Sequence, residues 1–450
     1  MNFDLVKHLV VVMFENRSFD HMLGSLQLEG RPVDGIAGAQ GNPDNDGYLW
    51  LPARLRGHND DAAPQAVNRR SRFEPDVPHE KLAVAAQIDN GKMTGFVKAF
   101  QKANPRILWR GYPIPLPHPQ DVLGYYTRED LPVLYFLADQ AAVCDRWFCS
   151  VPTSTMPNRL YSLCGDSAGY DATPIHNYEI KLTSVFDLLP DHEWAIYSAR
   201  FSDILGVKYG MGGVVPGCMA IALGDGARKR RLKDHWHELD DFAKDARRGS
   251  LPKVTWIEPC DSEIDLQSAN NDHPPTPIEA GQRLMKTIYE ALTANPLSWR
   301  ETALVITYDE HGGFYDHVKP DTIPAAALSK TDKSSGFKTF GPRVPALVLS
   351  PLVSKNKVVK QQLEHASILR FICDWYGLDP KQLSPRVANA TSIEVALDLA
   401  GPAAGTGPHG EYPVAPDVRD LSRWDAPPND SGQRVSSIRR QLDVLRDGLS

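Results

Sequence analysis

Two polar clusters in the sequence each follow a run of apolar residues. Residues 15–21, ENRSFDH, follow the run HLVVVMF, and residues 309–313, DEHGG, follow the run ALVITY. Neighbouring carboxylates repel each other unless a cation lies between them, and oxygen ligands suit Ca²⁺, Mg²⁺ or Mn²⁺, or iron or zinc if imidazoles join. Either cluster alone reads as a helix start, because Asn16, Ser18 and Asp309 are good N-cap residues. Together the two clusters favour a divalent metal site.

A third candidate is the hydroxyl of Thr155, within the segment CSVPTSTMPNRLYSLCG. Pro157 is typical of the first turn of a helix, so we expect Thr155 near a helix N-terminus. The helix dipole there favours both an alkoxide and a bound phosphate. Most threonines in such positions only cap the helix. The spacing alone does not exclude Ser154 or Thr153 as the reactive hydroxyl.

Two histidines lie in proline-flanked segments that suit the presentation of an imidazole. They are His79, in PDVPHE, and His273, in NNDHPP. Taken singly, each is more often a structural hydrogen-bonding group than a catalyst. His311, His317 and His365 are weaker candidates of the same kind.

Short apolar runs alternate with helical patterns along the chain. The runs fall at 8–14, 194–198, 253–257, 303–308 and 345–351, and the helical patterns at 131–140, 279–295 and 364–377. Such alternation predicts an α/β fold, a sandwich around a mainly parallel sheet. Ligands of such sheets gather at the carboxyl ends of the strands, where both polar clusters lie.

The composition predicts one large catalytic domain over residues 1–400. Irregular insertions near 30–72 and 201–234 are typical of lids or substrate loops. Residues 401–450 form a Pro/Gly-rich tail that ends in a helical stripe, which we expect to pack back on the domain. The stripe contains Ile438, Leu442, Leu445 and Leu449.

Charge and hydropathy limit the partners. With 49 Lys+Arg against 56 Asp+Glu, the net charge of −7 gives no overall field for nucleic acid. The run RKRRLK at 228–233 is interpreted as a solvated loop. The first apolar run is too short for a secretory signal, and no stretch approaches a membrane span. We therefore expect no stable membrane insertion, and a cytoplasmic location or export without a Sec signal.

Several segments, in this order, resemble the phosphoesterase family of non-zinc phospholipases C and related acid phosphatases. The most specific are ENRSFDHMLG at 15–24 and YDEHGGFYDHV at 308–318. The others are PDVPHE, NGKMTGFV, GYYTREDLP, CDRWFCS, TMPNRLY and NDHPP. The resemblance runs from about residue 10 to about residue 320, which is most of the chain.

The resemblance implies a three-layer α/β/α sandwich of the alkaline-phosphatase type. It implies a nucleophile just before the Pro-Asn pair, which falls on Thr155. It places the phosphoryl-contacting histidines on His79 and His273. The implied metal ligands are Glu15, Asn16, Asp309, Glu310 and the Thr155 oxygen.

These inferences predict a metal-dependent phosphoesterase of the phospholipase C type that works through a phospho-Thr155 intermediate. The expected partner is a phosphate ester, including a phospholipid head group. One alternative is an acid phosphatase acting on soluble phosphomonoesters. A second, from a different class, is a catalytically silent phosphate- or head-group-binding protein, and the presence of Thr155, His79 and His273 counts against it. The pattern GDSAG at 165–169 matches the α/β-hydrolase nucleophile motif, but it follows a helical stretch, so we interpret Gly165 as a helix terminator.

Overall fold

The computed structural model describes residues 3–55, 77–103, 108–109, 112–113, 122–173, 182–198, 234–260, 269–274, 276, 278–399 and 412–418. Much of the first predicted insertion, nearly all of the second, the run at 228–233 and the terminal helical stripe lie outside these residues. The domain boundary therefore stays a prediction.

The described residues form a central sheet of eight strands. The strands are β1 (His8–Phe14), β2 (Ala142–Cys144), β3 (Trp194–Ser198), β4 (Trp236–Glu238), β5 (Val254–Glu258), β6 (Thr302–Tyr308), β7 (Ala346–Leu349) and β8 (Val358–Val359). Their spatial order is β4-β3-β5-β1-β6-β7-β2-β8. Only β7 runs antiparallel to its neighbours, so the sheet is mainly parallel, as the sequence predicts.

Every residue of β3, β5, β6 and β7 is buried, so both faces of the sheet are covered. This burial explains why the strands appear in the sequence as continuous apolar runs. All five predicted strands are present within about two residues of the predicted ends. The prediction missed β2, β4 and β8, which are too short to give a periodic signal.

Helices pack on the sheet in two groups, which completes the three-layer sandwich. The helices are α1 (Phe19–Met22), α2 (Lys81–Ile88), α3 (Phe96–Ala103), α4 (Pro132–Gln140), α5 (Thr155–Cys164), α6 (Val185–Leu188), α7 (Leu239–Arg248), α8 (Ile278–Thr293), α9 (Pro296–Trp299), α10 (Lys330–Ser335), α11 (Ala366–Tyr376) and α12 (Pro385–Asn389). Helix α8 packs against α4, α7 and α9, whereas α11 packs against α5 and α12. Short 3₁₀ helices span Phe3–Leu5, Gly24–Gln27, Asp89–Gly91, Asp191–Glu193, Ala325–Ala327, Pro380–Gln382 and Ile393–Ala396.

A second, smaller apolar cluster lies beyond the carboxyl end of β6, and we call it the small core. Its buried members are Ile36, Val77, Met93, Phe96, Val97, Phe100, Val122, Leu123, Phe314 and Tyr315. It joins α3 to the segments that precede His79 and follow Glu310. Two-residue strands lie in the remaining segments: Asn42–Pro43 with Leu49–Trp50, Ala53–Arg54 with Gly124–Tyr125, and Leu108–Trp109 with Tyr112–Pro113.

Smaller features of the described residues complete the fold. Gly165 ends α5 in the left-handed conformation, with φ 70°, so GDSAG is a helix terminus as expected. The described cysteines are buried free thiols. Residues 412–418 pack against α8, where the Tyr289 hydroxyl donates to the Pro413 carbonyl at 3.0 Å. No helix in the described part of the chain has the length and apolarity needed to cross a membrane.

Candidate active site

The two acidic clusters meet at the carboxyl edge of the sheet because β1 and β6 are adjacent and parallel. Phe14 pairs with Tyr308 at the last position of the register. Beyond it, the Asn16 amide donates to Asp309 Oδ1 at 3.1 Å, and the Arg17 amide donates to the Glu310 carbonyl at 3.0 Å. The two clusters are therefore cross-linked directly.

Gly312 makes this close approach possible. Its φ is +63°, and a Cβ at this position would lie 2.2 Å from the Asn16 carbonyl oxygen. The Gly312 amide also donates to Glu310 Oε2 at 2.7 Å, which orients that carboxylate. Any side chain here would displace Asn16, so the glycine follows from the geometry of the site.

Arg159 of α5 reaches into the acidic cluster. Its guanidinium lies 2.9 Å from Glu15 Oε1, 2.6 Å from Glu258 Oε2 and 3.3 Å from Asp309 Oδ2. It lies one helical turn after Thr155, so the same helix brings both residues to the edge of the sheet. The sequence reasoning missed Arg159 and Glu258. Glu258 could have been found from the sequence, because it lies at the carboxyl end of the apolar run that forms β5, as the other acidic groups lie at the ends of β1 and β6.

The buried charges in this cluster do not balance. Burial raises the pKa of Asp309 to about 6, although the positive charge of Arg159 opposes the rise. Burial also acts to raise the pKa of Glu310, but the charge of His79 and the hydrogen bond from His311 outweigh it and lower this pKa. Arg159 supplies one fixed positive charge, whereas the cluster contains four carboxylates, those of Glu15, Glu258, Asp309 and Glu310.

The residues present fit a divalent cation. Both polar atoms of the Asn16 side chain, and Glu310 Oε1, are buried without a hydrogen-bond partner among the described residues. Asn16 adopts φ 58°, a left-handed conformation that costs free energy in a non-glycine residue. Such buried polar atoms are rare unless an ion or water satisfies them. Carboxylate and amide oxygens are the ligands that hard divalent cations prefer.

The three candidate hydroxyls before α5 differ in their hydrogen bonding. Thr153 Oγ1 donates to the Asp171 carbonyl at 2.6 Å, and Ser154 Oγ accepts from the Thr173 amide at 3.0 Å. Thr155 Oγ1 makes no hydrogen bond to the described residues. Ser154 occupies the N-cap position and Thr155 is the first helical residue, so Thr155 does not cap the helix. Of the three, Thr155 has the hydroxyl that is available to react.

Asn158 holds the loop that presents Thr155. Its side-chain nitrogen donates to the carbonyls of Val151, Thr153 and Ser154, and its oxygen accepts from the Val151 amide at 3.0 Å. One buried amide thus fixes the main chain on the approach to the helix. This contact gives a structural reason for the Asn that follows Pro157.

The two loop histidines, predicted from separate segments, lie together. The ring centroids of His79 and His273 are 6.2 Å apart and nearly perpendicular. Nδ1 of His79 contacts the Val77 carbonyl at 2.7 Å, and Nδ1 of His273 contacts the Pro274 carbonyl. A proton held on Nδ1 by a carbonyl leaves Nε2 as the atom that gains and loses a proton.

The His79 loop is fastened to the segment that follows Glu310. Gln87 Nε2 donates to the Pro78 carbonyl at 2.7 Å, while Gln87 Oε1 accepts from His311 Nε2 at 2.9 Å. Gly313, with φ +75°, allows the Pro78 carbonyl to approach, because a Cβ would lie 2.5 Å from that oxygen. Together these contacts fix the distance between His79 and Glu310.

A buried network behind His273 was also missed by the sequence reasoning. Asp272 has φ 68°, its carboxylate accepts from the Tyr308 hydroxyl at 2.6 Å, and its carbonyl accepts from Arg17 Nε at 2.9 Å. Burial raises the pKa of Asp272 to about 7, although the Tyr308 hydrogen bond opposes the rise. The network connects β1, β6 and the His273 loop through side chains far apart in sequence.

The weaker histidine candidates have structural partners. His365 Nε2 donates to the Asp309 carbonyl at 2.6 Å, and burial lowers the pKa of His365 to about 4. Possible ligand atoms of Asp20, Asp316 and His317 lie within 4.8 Å of one another, a spacing that could hold a metal ion. However, Arg343 already donates to Asp316 at 2.9 Å and to Asp20 at 3.1 Å. These contacts make the cluster an ion-pair network in this structure.

Comparison with known proteins identifies a matching family and several similar proteins. A sequence profile described as the Phosphoesterase family matches residues 6–379. Non-specific phospholipase C1 of Arabidopsis thaliana is 32% identical over 423 residues, covering 86% of this chain and 70% of that protein. Phospholipase C A of Mycobacterium tuberculosis is 28% identical over 448 residues, covering 91% of this chain and 80% of that protein. Among solved structures, the lipoteichoic acid synthase LtaP from Listeria monocytogenes aligns with 58% of this chain and 70% of its own, at 12% identity and a TM-score of 0.35.

Proposed function

This chain belongs to the Phosphoesterase family, and we propose that it is a phospholipase C-type enzyme that cleaves phosphodiesters through a phosphothreonine at Thr155. The family and the named phospholipase relatives make it a hydrolase of phosphoric ester bonds. The observation that carries the proposal is the available hydroxyl of Thr155. It lies at the start of the helix whose Arg159 enters the acidic cluster.

The cation that fits the cluster would be held by Glu15, Asn16, Asp309 and Glu310 together with the Thr155 oxygen. When bound, it would promote loss of the hydroxyl proton and polarise a phosphoryl oxygen. The chain itself supplies the nucleophile and the first turn of α5, whose amides and dipole favour a phosphoryl group. Arg159 keeps the neighbouring carboxylates in place.

In the first step the Thr155 hydroxyl loses its proton to solvent and its oxygen bonds to phosphorus as the bond to the leaving alcohol breaks. An imidazolium Nε2 gives that alcohol its proton. In the second step water attacks phosphorus and one of its protons passes to an imidazole Nε2. The bond between phosphorus and the Thr155 oxygen breaks, and that oxygen takes a proton from solvent to regenerate the hydroxyl. The closeness of the His79 and His273 rings supports assigning these roles to the two histidines. His79→Ala and His273→Ala should each slow turnover by about 10²–10⁴-fold, the usual effect of losing a general acid or base.

Acid trapping during turnover tests the nucleophile. We expect one phosphoryl group, still esterified to the alcohol of the head group, on the peptide that contains Thr155. We expect loss of both adduct and turnover in Thr155→Val, and retention of both in Thr155→Ser. Thr153→Val is the matched control, because its hydroxyl lies in the same loop but is already hydrogen-bonded. A Thr155→Val enzyme with normal turnover would refute the proposal.

The substrate class is tested by comparing p-nitrophenyl phosphorylcholine with p-nitrophenyl phosphate. The phospholipase C relatives support a preference for the diester. Faster cleavage of the monoester would instead assign the chain to the acid phosphatase alternative. Turnover of neither compound, in protein supplied with divalent metal, would favour a binding role.

A further inference from the structure

A short hairpin near the active site presents apolar side chains to solvent. It comprises the strands Asn42–Pro43 and Leu49–Trp50 and the turn between them. Seven large apolar residues of the described chain are strongly exposed, and three of them fall within residues 48–51. Tyr48 is 71% exposed, Leu49 66% and Leu51 56%. Scattered single apolar residues are ordinary on a protein surface, but a contiguous group marks a site of interaction.

The hairpin is held rigidly, so the exposure of these side chains does not come from a loose loop. Asp44 Oδ1 accepts from the Tyr48 amide at 2.8 Å, and Asp44 Oδ2 accepts from Trp50 Nε1 at 3.0 Å. This buried carboxylate fixes the turn and the indole ring. The chain after Leu51 is fixed as well, because Ala53–Arg54 pairs with Gly124–Tyr125.

The hairpin is attached to the structures that carry the candidate active site. The Asn42 side chain accepts from the Phe96 amide at 3.0 Å, and the Gln40 carbonyl accepts from the Tyr315 hydroxyl at 3.1 Å. Phe96 packs edge-on to His311, the residue after Glu310. The hairpin therefore lies at the same edge of the sheet as the acidic cluster.

The helix that contacts the hairpin carries two exposed lysines. The Asn45 amide donates to Gln101 on α3, and Lys98 and Lys102 of that helix are exposed. The two lysine charges exceed the single negative charge of Asp46, the exposed acidic residue of the turn. Exposed Leu and Tyr with adjacent lysines are the combination that binds a phospholipid interface, because apolar groups enter the acyl boundary and lysines meet anionic head groups.

We propose that the hairpin docks the enzyme on a phospholipid surface, with Tyr48, Leu49 and Leu51 at the interface and Lys98 and Lys102 against anionic head groups. This inference rests on the proposed function for its choice of partner, since the substrate of a phospholipase C lies in a bilayer. Docking at this edge would bring the candidate active site to its substrate.

The test is co-sedimentation of the full chain with phosphatidylcholine vesicles, with and without phosphatidylserine. The double variant Leu49→Ser, Leu51→Ser should reduce partition onto vesicles by roughly 10–100-fold, from the loss of two exposed apolar side chains. Lys98→Gln and Lys102→Gln should each reduce the preference for phosphatidylserine by about five-fold. Leu297→Ser is the matched control, because Leu297 is 72% exposed but precedes β6, at the opposite edge of the sheet. It should bind as wild type does.

Activity separates this inference from the proposed function. The double variant should cleave soluble p-nitrophenyl phosphorylcholine at the wild-type rate, which also shows that it is folded, while its cleavage of vesicle phosphatidylcholine falls with partition. Wild-type partition in the double variant, or an equal loss in Leu297→Ser, would overturn the docking proposal. A change in self-association without vesicles would assign the hairpin to a second copy of this chain. A protein that binds vesicles through the hairpin but cleaves no ester would refute the proposed function alone.

Discussion

Replacing Arg159 with Met should strongly destabilise the metal-free protein. The guanidinium is the shared partner of Glu15, Glu258 and Asp309, all of them buried. Methionine keeps much of the apolar stem but leaves these carboxylates without their cation. Removing one partner from a buried ion pair costs about 3–5 kcal/mol. That is a large part of the roughly 5–15 kcal/mol by which a native protein is stable.

The loss of stability in Arg159→Met should depend on pH, and the pKa of Asp309 sets the direction of that dependence. Burial raises this pKa to about 6, and Arg159 opposes the rise, so Arg159→Met should raise it further. A carboxyl group whose folded pKa lies above its unfolded value stabilises the fold below the unfolded pKa, and that contribution is lost as pH rises through the folded pKa. The contribution of Asp309 to the penalty should therefore be small below about pH 6, where this carboxyl is protonated in both folded proteins, and should grow as pH rises above about 6.

Urea denaturation of chelator-treated protein over a range of pH measures the effect. Adding Glu258→Gln to Arg159→Met should recover part of the loss, because it removes one of the unpaired buried charges. The reasoning fails if Arg159→Met changes the free energy of unfolding by less than about 0.5 kcal/mol near neutral pH. It also fails if the penalty is the same in acid as at neutral pH.

Three further outcomes follow from the same geometry. Gly312→Ala should lower metal content, measured by elemental analysis, together with turnover. Gly336→Ala is the control, because Gly336 has φ +74° and an added Cβ would have no atom within 4 Å. It should cost only the backbone strain of about 1–2 kcal/mol. Burial acts to lower the pKa of His317, but its hydrogen bond with Asp20 outweighs this and raises the pKa to about 9. Protonated His317 should therefore stabilise the fold by roughly 3 kcal/mol below about pH 6.5, and this stabilisation should be lost as pH rises through about 9. His317→Gln should remove this pH dependence from the urea midpoint of unfolding. Affinity for the divalent metal, measured by calorimetry, should weaken as pH falls below about 6, because protonation of Asp309 competes with the cation. A flat affinity profile would show that Asp309 is not a ligand.

The strands could be predicted from the sequence where burial is uniform. In β1 and β6 nearly every residue faces packed side chains, which gives an unbroken apolar run. Strands β2 and β8 have only three and two residues, too few to show a pattern. The reversed direction of β7 was not visible, because an apolar run looks the same in either direction.

For the candidate site, the residue types and their order indicated which segments carry reactive groups and that two of these segments follow buried strands. The sequence placed His79 and His273 in separate loops and left three hydroxyls near residue 155 equivalent. Only the tertiary structure separated those hydroxyls, because the groups that engage Thr153 and Ser154 come from residues 171–173. Only the fold revealed that Arg159 joins carboxylates at the carboxyl ends of three strands, since its contacts span up to 150 positions of the chain. Pairing between distant residues depends on how strands are ordered in the sheet, and no local pattern of residue types encodes that order.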